Sequence, residues 1–99
     1  MIRYFAEAEA EMIAAAQFYE DRQAGMGQDF LNVVEAALRS LELHPRQGAV
    51  FGAPVRRRLL AKFPYGILYV IHHGEIVVVA IAHLSRHPTY WVSRLENND

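Results

Sequence analysis

Apolar and polar positions change their period once along this 99-residue chain, and the change divides it in two. Up to about residue 44 the apolar residues recur every three or four positions, as on one face of a helix. Ala8, Met12, Ala15 and Tyr19 form such a stripe within "EAEAEMIAAAQFYEDR" (7–22), a segment rich in Ala and Glu and free of Gly and Pro. Its early glutamates suit the positive end of the helix dipole. "AGMG" (24–27) is expected to stop this helix. A second is expected over 28–44, with Phe30, Val34, Ala37, Leu38 and Leu41 in one stripe and Pro45 beyond its end. So short a link predicts an antiparallel helical hairpin. The opening "MIRYF" alternates and suggests a short first strand.

Past a loop at 45–54, which holds two Pro and two Gly, the pattern becomes that of strands. "VRRRLLAKF" (55–63), "GILYVIH" (66–72) and "EIVVVAIAH" (75–83) are rich in β-branched and aromatic residues. Pro64 marks one bend and His73-Gly74 a tight hairpin turn. The last strand is apolar on both faces, which places it in the middle of a sheet. The predicted fold is α+β, in the order β-α-α-β-β-β with a short C-terminal helix or turn. The helical hairpin packs on one face of a small, mainly antiparallel sheet. The other face is left as an apolar surface or a partner site.

Length and composition narrow the class. A single domain over residues 1–99 is expected, with 53% hydrophobic and 21% charged residues. The longest apolar run, Ile76–Ala82, falls far short of the roughly 20 residues a membrane helix needs. Glu7, Glu9 and Glu11 make the N-terminus unlike a secretory signal. Absence of cysteine excludes disulfides and thiolate zinc, and a cytoplasmic location fits. The net charge of −1 hides a division. Four arginines against eight acids give residues 1–55 a net −4, whereas residues 56–94 set six cations against Glu75 alone, a net +5. Such polarity predicts a basic region that meets an anionic partner, nucleic acid or acidic protein.

Two stretches carry candidate chemistry. In "RRR", Arg56 and Arg58 should point to one sheet face and Arg57 to the other. Together with Lys62 they read either as an edge strand protected by charge or as a dock for carboxylates or phosphates. In "HLSRHPTYW" (83–91), His83, Arg86 and Tyr90 could supply the base, cation and acid of phosphodiester cleavage, with Arg58 steadying the phosphate. The plainer reading packs Tyr90 and Trp91 over the end of the sheet. His83 and His87 have the i, i+4 metal spacing, but a strand end and Pro88 argue against the helix it requires, so no metal and no cofactor are expected.

These runs resemble the toxins of the RelE/ParE superfamily, found in type II toxin–antitoxin and plasmid-stabilisation modules. The similarity spans "FYEDRQAGMGQDFL", "RRRLLAKFPYGILYVI" and "IVVVAIAHLSRHPTYW", nearly the whole chain. It implies the β-α-α-β-β-β fold, a cytoplasmic toxin, and a cognate antitoxin in a hetero-oligomer that reaches operator DNA only through the antitoxin. RelE-type relatives cut mRNA in the ribosome; ParE-type relatives inhibit DNA gyrase without nuclease chemistry. The RelE branch carries basic residues where Arg56 and Arg58 stand and an arginine matched by Arg86. It carries another directly after the aromatic that opens the next strand, where this chain has Gly66 after Tyr65. Tyr90 stands near that branch's C-terminal tyrosine, with shorter spacing. Gly66 and the slightly acidic total, unusual for a protein that holds mRNA, favour the ParE-like branch. Arg56, Arg57, Arg58, Lys62, Arg86 and Trp91 are then expected to contact partners. An mRNA endonuclease and a detoxified antitoxin-binding module are the alternatives.

Overall fold

The computed structural model describes residues 1–97. The chain runs β1 (Ile2–Tyr4), α1 (Ala6–Arg22), α2 (Met26–Leu43), β2 (Ala49–Val50), β3 (Arg56–Leu59), β4 (Tyr65–His72), β5 (Glu75–His83) and α3 (Val92–Asn97). The sheet order is β1-β5-β4-β3-β2, parallel only between β1 and β5. The expected α+β architecture is present, with β5 between β1 and β4 over Ile76–Val78 and paired with β4 alone beyond.

The two helices form the expected hairpin. Gly25, at φ 90, turns the chain into α2. Glu20 on α1 then accepts the N–H groups of Gly25 and Gly27, so a carboxylate faces the positive end of α2. The stripe Phe30, Val34, Ala37, Leu38, Leu41 is buried against Ile67, Tyr69, Ile76, Val78 and Ile81 of the sheet. Tyr19, Phe30, Phe63 and Tyr65 close this core with edge and stacked ring contacts.

Four expectations need correction. α2 begins at Met26, two residues early, because Glu20 accepts the N–H groups of Gly25 and Gly27 and so caps its first turn within the segment expected to separate the helices. The 45–54 loop contains β2, which pairs with Arg56 and Arg57; two residues are too few to show a period. The strand expected over 55–63 ends at Leu59, and Lys62, at φ 70, stands in the turn that follows. The second sheet face is not open. Trp91 is 3% exposed and fills it with Val55, Leu68, Val79, Ala80 and Ala82, while Phe51 and Leu95 pack alongside.

A bulge in β5 sorts the two faces. Leu68 pairs with Ala80 and Tyr69 with Val78, so Val79 has no opposite number. Ile76, Val78 and then Ile81 face the helices, whereas Val79, Ala80 and Ala82 face the tail.

Candidate functional site

β1 is paired with β5 only from Ile76 to Val78, and Phe5 N–H adds one bond to the Val78 carbonyl. Beyond that point the edge of β5 has no neighbouring strand, yet its backbone groups are buried and need partners. Two side chains supply them. Glu11 of α1 accepts the Ile81 N–H at 3.1 Å, and Arg94 of α3 donates to the Val79 carbonyl at 3.1 Å. They also pair with each other, Nη1 to Oε1 at 2.7 Å and Nη2 to Oε2 at 2.9 Å, with side chains only 18% and 14% exposed. Hydrogen bonding to Glu11 holds the Arg94 guanidinium protonated still more firmly than usual.

Tyr90 belongs to the same clasp. Its hydroxyl donates to Glu11 Oε2 at 2.7 Å, and its ring lies beneath the guanidinium groups of Arg86, 3.8 Å away, and Arg94, 4.9 Å away. Burial first, then the Glu11 hydrogen bond and charge, push the phenol far above its ordinary value. A phenol so held is a poor proton donor.

The tail and sheet border an open cleft of about 190 Å³, lined among others by Phe51, Arg57, His83, Arg86, His87 and Tyr90. Arg57 reaches it because Gly66 has no side chain. A Cβ at Gly66 would meet Arg57 Cγ at 3.0 Å and Cδ at 3.2 Å, so the arginine stem lies across β4 and its guanidinium rests 4.4 Å over Phe51. The position where the RelE branch carries a cation is thus crossed by a cation from the neighbouring strand. The Trp91 indole donates to the Pro88 carbonyl at 2.8 Å and walls the cleft. His83 Nδ1 accepts the Ser85 N–H at 3.0 Å, and His87 Nδ1 accepts the Thr89 N–H at 3.3 Å. In both neutral rings the hydrogen therefore sits on Nε2, and the lone pair a general base would use is already taken.

The structure gathers His83, Arg86 and Tyr90 but not Arg58. Arg56 and Arg58 point to the opposite face from Arg57, as strand alternation predicts. Arg56 donates to the carbonyls of Gly48, at 2.8 Å, and Arg46, at 3.3 Å. Arg58 donates to Gln47 Oε1 and to the Leu59 carbonyl. Trp91 is buried and shapes the surface without presenting its ring. Lys62 stands apart in its turn. Reading the sequence missed Glu11 and Phe51. Glu11 left one signal, a carboxylate beside Ala8 and Ala15 at the margin of an apolar stripe; Phe51 left none within its loop.

The sequence matches the family described as the ParE toxin of the type II toxin–antitoxin system, parDE, over residues 2–88. The fold is similar to a solved structure titled "Chromosomal ParDE TA system from P. aeruginosa". The TM-score is 0.73 with 17% identity over 83% of this chain and 92% of that one. No curated protein matches in sequence.

Proposed function

The chain belongs to the ParE toxin family of type II toxin–antitoxin systems, and from that premise we propose that it arrests bacterial growth by binding DNA gyrase without cutting nucleic acid. One observation supports this above others: the Glu11 clasp. It occupies the Tyr90 hydroxyl, while the histidine Nδ1 lone pairs are engaged and Arg58 lies on the other face, so the acid and base of an endonuclease, though they line one cleft with Arg86, are already committed to other groups. What the tail offers instead is a rigid surface of arginine on aromatic rings, the residue types that anchor protein interfaces.

A cognate antitoxin silences the toxin in a cytoplasmic hetero-oligomer and supplies the contact with operator DNA. Its acidic or amphipathic tail lies along the strand of Arg56–Arg58, as an added strand or a groove-bound helix. Val50 and Leu59 are exposed at that margin, and β2 covers only Arg56 and Arg57.

Expression without antitoxin tests the reading. It should induce the DNA-damage response and accumulate gyrase-linked breaks. Tyr90→Phe should stay toxic, because the ring beneath Arg86 remains; an endonuclease relying on the phenol would lose activity. Intact DNA, arrested translation and new mRNA ends in primer extension would instead establish the endonuclease, and harmless expression the detoxified module.

A further inference from the structure

Among the arginines of the basic half, residues 56–94, Arg57 and Arg86 stand apart from the rest. Arg94 is clasped by Glu11, and Arg56 and Arg58 donate to carbonyl groups and Gln47. Among the described residues, the guanidinium groups of Arg57 and Arg86 make no hydrogen bond or ion pair. Each is centred over a ring, Arg57 4.4 Å from the Phe51 centroid and Arg86 3.8 Å from that of Tyr90. A guanidinium over a ring keeps N–H groups that can still donate to a ligand.

Both line the same cleft with His83 and His87, and among the described residues no carboxylate lines it. Glu11, which meets Tyr90 beside the cleft, is occupied by Tyr90, Arg94 and the Ile81 N–H. Two guanidinium groups in a cleft with no carboxylate among the described residues that line it make a site for an oxyanion. The apolar walls, Leu68, Ala82 and Trp91, add room for an uncharged body beside it.

We propose that this cleft grips the phosphodiester backbone of single-stranded DNA through Arg57 and Arg86. The proposal rests on the gyrase reading only for where that strand comes from: the enzyme's own opened DNA segment. The toxin then holds the nucleic acid of the complex as well as its protein. Arg56 and Arg58, on the other face, take no part.

Fluorescence anisotropy of the purified chain with a labelled single-stranded DNA of roughly 12 nucleotides, a length that one small domain covers, tests the site. Two phosphate contacts predict a slope of log K against log salt of about −1.4. Arg57→Ala and Arg86→Ala should each lower affinity several-fold and remove about half that slope. Arg57→Lys with Arg86→Lys should keep the slope, which separates lost charge from lost fold. Arg56→Ala with Arg58→Ala should change neither quantity.

Absent binding, or equal losses from the Arg56 and Arg58 pair, overturns the site. Displacement by poly-glutamate as readily as by unlabelled DNA also overturns it, in favour of an acidic peptide. A supercoiling assay on the same preparation keeps the two ideas apart. Gyrase inhibition without oligonucleotide binding sinks this site alone, and binding without inhibition supports the site while sinking the gyrase reading.

Discussion

Glu11 lies three positions after Ala8 and four before Ala15, yet its two oxygens hold groups from β5, the tail and α3. Removing it takes the carboxylate from a largely buried guanidinium, which keeps the Val79 carbonyl, and an acceptor from a phenol and a backbone N–H. Glu11→Ala is therefore expected to cost about 3 kcal/mol, the range for breaking one side of a buried pair. Glu11→Gln should cost less, since an amide oxygen can still accept from Ile81. Urea denaturation of the three proteins checks this. Tyr90 adds a pH signature. Its raised pKa means that the folded chain keeps a proton the unfolded chain has already lost. The stabilisation is complete below about pH 10, the ordinary tyrosine value, and is lost as pH rises through the folded value. Stability should fall above that pH, and Tyr90→Phe should flatten the fall; Tyr4, Tyr19 and Tyr65, also raised by burial, account for the remainder.

The helical hairpin was legible in advance because each helix carries its own period. Its closeness was not. Gly27 sits where a Cβ would lie 2.6 Å from the Ala16 carbonyl oxygen and 3.0 Å from Glu20. Gly27→Ala must push the helices apart or displace the cap, at a cost of about 2 kcal/mol, read by thermal or urea unfolding. The strand meander was legible in number and order, but its outer part was not. β4 and β5 announce themselves through β-branched residues, whereas β2 is two residues in a loop that becomes a strand only by pairing with Arg56 and Arg57.

Across the whole molecule the basic half separates into two faces. Arg57 and Arg86 converge on the tail cleft, and Arg56 and Arg58 turn toward the 44–48 segment. The faces should have separable functions. Reversing Arg56 and Arg58 to glutamate is expected to slow antitoxin association and flatten its salt dependence, measured by stopped-flow mixing, with gyrase inhibition retained. Unchanged association would remove the basic strand from the antitoxin surface.

The amino-acid order by itself determined the hairpin, the three principal strands and the central place of β5, since each follows from local periodicity and turn chemistry. It also determined that Arg57 opposes Arg56 and Arg58, because strand side chains alternate. Only the tertiary structure decided that Trp91 is interior, that Arg57 crosses Gly66 to rest on Phe51, and that Glu11 closes the edge β1 leaves short. Those pairings join residues far apart in the chain, up to 83 positions for Glu11 and Arg94. No local pattern encodes them; they form because buried backbone and charged groups on β5 must find partners once the sheet is assembled.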